Sequence, residues 1–196
     1  MIAPNQIPRP AVFLDRDGTI NEEIGHIQFP EDLILLSGAA AAIKSLNKSQ
    51  YLAVVVTNQS VIARGRCTEA GMEEINNRLQ SLIGELGATI DGIYYCPHYP
   101  DPEIREGRRD LTIICDCRKP KPGLLMRAAE DMHINLDLSW MIGDSSTDIE
   151  AGKRAGVRSI LLSNEDNYKN KSPVIPDATY SNLSDAVRHI LDYPKD

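Results

Sequence analysis

Phe13-Leu14-Asp15-Arg16-Asp17-Gly18-Thr19 closes an apolar run that begins at Ala11. A buried strand runs straight into two carboxylates at i and i+2, followed by a Gly-Thr pair that permits a tight turn. In extended backbone that spacing sends both side chains to one side. At the carboxyl end of a central strand they face a ligand crevice. Like charges held that close invite a divalent cation or a shared proton. A strand ended by a solvated Asp-Gly turn fits the same seven residues, so the rest of the chain must decide.

Further apolar runs at 51–57, 91–96, 139–144, 157–162 and 178–180 are short and rich in Val and Ile, as strands covered on both faces are. Helical patterns fill 38–48, 68–86, 122–132, 147–155 and 183–191. Thr68 reads as an N-cap, and Gly87 and Gly156 stand where helices stop. The alternation predicts an α/β fold: a Rossmann-like, three-layer, mostly parallel sheet. The 196 residues suit a single domain spanning 1–196 with one sizeable core.

Twenty-one Lys and Arg against 28 Asp and Glu give a net charge of −7, which argues against nucleic acid as a partner. No apolar run approaches the ~18 residues of a membrane span. The N-terminal residues lack the basic and apolar regions of a signal peptide. A cytoplasmic monomer acting on a small molecule is therefore expected.

Three more segments bear on the chemistry. Val54-Val55-Val56-Thr57-Asn58-Gln59-Ser60 ends a second strand in a hydroxyl and two amides, groups that hold phosphate oxygens without adding charge. Met141-Ile142-Gly143-Asp144 ends a third strand in a carboxylate, and Asp148 follows a helical turn later. Asp148 also suits the dipole at a helix N-terminus, so it is carried as a supporting residue. Lys119, between Arg118 and Pro120, supplies a cation for a transferring phosphoryl group.

These four pieces, DRDGT, TNQS, the Lys119 segment and GDSSTD, resemble the four motifs of the haloacid dehalogenase (HAD) superfamily of phosphohydrolases. Within it, the stretch from about Val12 to Leu162 is similar to the heptose 1,7-bisphosphate 7-phosphatases, which are related to histidinol phosphatases. The resemblance implies that Asp15 attacks phosphorus to form an aspartyl phosphate and that Asp17 serves as acid and then base. It implies a catalytic Mg²⁺ held by Asp15, the backbone carbonyl of Asp17, and Asp144. Thr57 and Lys119 would hold the phosphoryl oxygens. The implied reaction makes heptose 1-phosphate for nucleotide-activated heptose. Histidinol-phosphate hydrolysis, the same chemistry on an amino alcohol, is the nearest alternative. A non-catalytic zinc-bearing binding protein and a polynucleotide phosphatase are others, the latter disfavoured by the acidic charge. Thr57 follows Asp17 by only 40 positions, so no large cap domain is expected.

The irregular, proline-rich stretch from Cys96 to Lys121 contains Cys96-Pro97-His98 and Cys115-Asp116-Cys117. Three thiolates and an imidazole make a closed tetrahedral Zn²⁺ set; free thiols or disulfides are the alternatives. The resemblance favours zinc, since these phosphatases carry the same pairs. A structural zinc would anchor the loop at about 96–118 that presents Arg118 and Lys119.

Specificity is expected from loops. Glu23, Ile24, Gly25 and His26 form a flap, and Thr57, Asn58, Gln59, Ser60, Arg118 and Lys119 complete the expected substrate-binding set. Arg118 is the first candidate for oxygens beyond the transferred group, with Arg64 a second or else a solvated surface residue. His26 and Val61 depart from the residues usual in the heptose enzymes, and Val61 is expected to narrow the pocket edge. Arg105, Arg108 and Arg109 read as solvated charges, and His133 and His189 are given no role.

Overall fold

In the computed structural model, residues 7–101, 107–163 and 174–194 are described. Arg105 and the last two residues of the tail fall outside them. Six strands, β1 Ala11–Leu14, β2 Leu52–Asn58, β3 Gly92–Cys96, β4 Trp140–Gly143, β5 Arg158–Leu162 and β6 Ala178–Tyr180, form one sheet. Its order is β3-β2-β1-β4-β5-β6, and every pairing is parallel. The expected α/β architecture is thus present.

Residues alternate across each strand and build two cores. Val12, Leu14, Ala53 and Val55 pack against helices α1 (Ala39–Asn47), α2 (Glu69–Glu85) and α5 (Leu183–Asp192). Ala11, Phe13, Val54 and Val56 pack against α3 (Gly123–Met132) and α4 (Ser146–Ala155). Helices on both faces explain why the central strands read as unbroken apolar runs.

Local signals act where they were read. The Thr68 side chain accepts from the N–H of Gly71 at the start of α2, and Gly156 ends α4 at φ +79°. His133 closes α3 at φ 55°, and His189 packs edge-on against Trp140, so both serve the fold. Between β1 and β2 lie only the flap, a 3-10 turn at Pro30–Asp32 and α1; among the described residues there is no second sheet and no cap. Among them, too, no helix is long and apolar enough to cross a membrane.

The chain leaves β1 toward β2 on one side, while β4 pairs on the other. Such a reversal opens a crevice beyond the carboxyl ends of the strands, and Asp15 sits at it. Its backbone N–H donates to the carbonyl of Ile142 at 2.9 Å, which draws β1 and β4 together where both end in carboxylates.

Candidate active site

Three strand ends converge. β1 delivers Asp15, β2 delivers Thr57, and β4 delivers Asp144, with Asp148 in the first turn of α4. Oxygens of Asp15, Asp144 and Asp148 all lie within 4.8 Å of one another. Lys119 reaches into this group from the far end of the 96–121 segment. Its Nζ is 2.8 Å from Asp15 Oδ1 and 2.6 Å from Asp148 Oδ1, and it donates to the carbonyl of Val56 at 2.8 Å. Gly18, at φ +77°, passes so close that a Cβ there would collide with the Asp144 carboxylate.

The electrostatics follow from burial and crowding. Loss of solvent, chiefly, pushes Asp15 up to about 7; Lys119 pulls it down and the Asp148 charge adds to the rise. Asp144 is pushed up to about 6 by desolvation and then by Asp148. Burial works against the Lys119 ammonium, yet Asp148 and Asp15 outweigh it and hold the group at about 12. Three carboxylates around one ammonium leave a surplus of negative charge, the donor set of a hard divalent cation.

Asp17 lives in different surroundings. Arg16, fully buried, grips it through Nε at 3.1 Å and Nη2 at 3.0 Å; Asn21 Nδ2 (2.9 Å) and Gln59 Nε2 (2.8 Å) complete four donors. Burial opposes the charge on Asp17, but Arg16 and these amides prevail and hold its carboxyl below the usual range. Gln59 also donates to Thr57 Oγ1 at 2.9 Å, which leaves the Thr57 hydroxyl proton for an incoming acceptor. Asn58 accepts from the Lys119 N–H and donates to its carbonyl, both at 3.0 Å.

Cys96, His98, Cys115 and Cys117 meet beside β3. The Sγ–Sγ distances are 3.2, 3.3 and 3.6 Å, and His98 Nδ1 lies 3.3 and 3.5 Å from Cys117 and Cys96. A tetrahedron with metal–sulfur bonds near 2.3 Å has sulfurs about 3.8 Å apart. The edges seen are slightly tighter, so these four residues could hold one ion. The hydrogen bond shared with Cys96, above all other influences, draws the Cys117 thiol down to about 5.

The rim carries cations. Arg64 lies over the Tyr99 ring at 4.2 Å and Arg118 at 5.0 Å, and Arg118 Nη1 donates to the His98 carbonyl. Glu23, Ile24 and Gly25 are exposed and His26 half-buried on the flap. Val61, expected to narrow the pocket edge, instead points into the core at 1% exposure, because the turn after Ser60 folds inward. Arg108 pairs with Asp110.

The family model described as HAD-hydrolase-like matches residues 116–186. Over 187 residues the chain is 38% identical to the D-glycero-beta-D-manno-heptose-1,7-bisphosphate 7-phosphatase of Escherichia coli (strain K12), covering 95% of this chain and 92% of that protein. The chain belongs to the heptose-bisphosphate phosphatase family of HAD-like hydrolases. Its identity to the enzyme of the same name from Pasteurella multocida (strain Pm70) is 36%, covering 94% of this chain and 95% of that one. The crystal structure of D,D-heptose 1,7-bisphosphate phosphatase from B. bronchiseptica, complexed with magnesium and phosphate, matches with a TM-score of 0.78 at 27% identity, covering 93% and 98% of the two chains. This HAD-like chain is a phosphomonoester hydrolase.

Several residues of this phosphatase matter more in three dimensions than along the chain. Asp148 is both the capping partner of Ser145, through Oδ2, and the ion-pair partner of Lys119, through Oδ1. Asn21 opens the first specificity loop, and no role at Asp17 is legible for it. The one signal for Arg16 is that its place between the two aspartates starts its side chain toward the α2 face, where it meets Met72 and Asn76 before reaching Asp17. Tyr99, which gathers both arginines, had no signal.

Proposed function

We propose that this phosphatase removes the 7-phosphate of D-glycero-D-manno-heptose 1,7-bisphosphate, giving heptose 1-phosphate for nucleotide-activated heptose. The observation that carries the reading is the pair of guanidiniums, Arg64 and Arg118, on Tyr99 at the zinc-loop rim, where Arg118 stands directly between Cys117 and Lys119. A substrate with a second phosphate gains from two cations there. Histidinol phosphate brings an ammonium, which the same cations repel.

Asp15 Oδ attacks phosphorus and the bond to the sugar oxygen breaks, with a proton from Asp17 going to that oxygen. Asp17 then takes a proton from water as the water oxygen attacks phosphorus, releasing phosphate and Asp15. The four donors around Asp17 favour its ionised form, the form the water step uses, whereas in the first step the carboxyl must carry its proton against them. Thr57 Oγ–H and Lys119 Nζ hold the phosphoryl oxygens. Asp15, Asp144 and the Asp17 backbone carbonyl would hold Mg²⁺. When bound, the ion offsets the repulsion between ionised Asp15 and a phosphate dianion. Zinc on Cys96, His98, Cys115 and Cys117 is structural in this reading and keeps Arg118 and Lys119 placed. Glu23 to His26, with Ser60, shape the sugar end.

The test is phosphate release, with Mg²⁺, from heptose 1,7-bisphosphate and histidinol phosphate side by side. A kcat/KM preference of about tenfold for the heptose, or ~1.4 kcal/mol of transition-state stabilisation, is expected. The reverse preference overturns the substrate reading. Asp15→Asn abolishes turnover on both and leaves the fold intact.

A further inference from the structure

We infer that Asn58 is a positioning residue for Lys119 and acts through the lysine. This rests on the reading above that Lys119 holds the phosphoryl group. Asn58 is the last residue of β2 and pairs in register with Cys96 of β3. Its side-chain amide offers a donor and an acceptor side by side, the same pair a peptide group offers. Both are used on one residue: Oδ1 accepts the Lys119 N–H, and Nδ2 donates to the Lys119 carbonyl, each at 3.0 Å. The amide thus holds the Lys119 backbone as a peptide group of a paired strand would.

The other end of the lysine is held by the same strand. Nζ donates to the Val56 carbonyl, two residues before Asn58. A lysine is ordinarily a point charge on a flexible four-carbon stem. Here β2 grips it at its root through Asn58 and at its tip through Val56, so the cation stands at a set place between Asp15 and Asp148. The Cys96–His98–Cys115–Cys117 cluster, ending two residues before Lys119, provides a second and separate tether.

The experiment is a double-mutant cycle on the full chain with Mg²⁺ and zinc present, using Asn58→Ala, Lys119→Ala and both together. Asn58→Ala should lower kcat about 10- to 100-fold, the cost of displacing a catalytic group by about an ångström, with KM nearly unchanged. The loss should be the same on heptose 1,7-bisphosphate and on p-nitrophenyl phosphate. In the Lys119→Ala background, Asn58→Ala should add less than about twofold. If its losses multiply there, or appear as a raised KM on the heptose substrate alone, Asn58 touches substrate and the inference is overturned. Lys119→Ala with wild-type turnover instead sinks the reading of Lys119 itself.

Amide exchange at Lys119, read by NMR, gives an independent answer if the double variant is too slow to assay or Asn58→Ala folds poorly. Asn58→Asp retains an acceptor at the same reach, so the Lys119 N–H should stay more protected than in Asn58→Ser, whose hydroxyl is one bond too short to meet it. Equal exchange in both variants and the wild type overturns the tether.

Discussion

Lys119 Nζ and Asp148 Oδ1 lie 2.6 Å apart, with both side chains closed off from solvent. Asp148 also caps α4 through Ser145, so one carboxylate ties the first turn of a helix on one face of the sheet to a cation delivered by a distant loop.

Asp148→Asn keeps the shape and much of the cap but removes the charge. Breaking a buried pair leaves an uncompensated ion, a loss of about 3 kcal/mol, at the low end because Asp15 still faces the ammonium. We expect urea unfolding to show that loss and phosphate release to fall at least about tenfold. Unchanged stability would mean that Asp15 alone balances Lys119.

Protons and Mg²⁺ should compete for the same oxygens. A protonated carboxyl is a poor ligand, and Asp15 and Asp144 in the metal-free protein are pushed up to about 7 and about 6. Affinity for Mg²⁺ should therefore be highest above pH 7 and fall as pH drops through 7 and then 6, by about tenfold per pH unit for each proton displaced. Titration calorimetry from pH 8 to 5.5 measures it. A flat profile would show that the ion does not rest on these two groups.

Stripping the Cys96–His98–Cys115–Cys117 site with a chelator, or replacing Cys117 by Ala, should cost activity beyond any drop in melting temperature, because the loop that ends in Lys119 loses an anchor. Turnover and melting temperature both unchanged would remove the structural role given to zinc.

Arg64→Ala and Arg118→Ala should each lower kcat/KM on heptose 1,7-bisphosphate about 10- to 100-fold, the range of a charge-assisted contact of ~1.5–3 kcal/mol. Neither should change hydrolysis of p-nitrophenyl phosphate by more than about threefold. Equal losses on both substrates would place these cations at the transferred group.

Much of this was legible in the residues because strands and motifs share one logic. The apolar runs that end at Asp15, Thr57 and Asp144 mark strand, strand end and site together, and the caps at Thr68 and Gly156 act locally, within reach of sequence pattern. What could not be read depends on which faces meet. Val61 looks like a pocket residue by its place after Ser60, yet its side chain turns to the core. Asp148 reads as a helix-capping charge, and its second partner comes from a residue 29 positions earlier, Lys119. Tyr99 carries no motif, and its meaning lies in two arginines that reach it from different loops.

The strand order has a kinetic consequence. Asp15, Thr57 and Asp144 come from β1, β2 and β4, which are neighbours in space and far apart in the chain. No local hairpin or helix pair can assemble even two of them. Closing such loops must come before the contacts that reward it, so a chain emerging during synthesis can pair β1 with β2 but lacks the Asp144 carboxylate at the site until β4 docks on β1. Recovery of phosphatase activity after dilution from denaturant should then lag behind helix formation and follow the docking of that central strand.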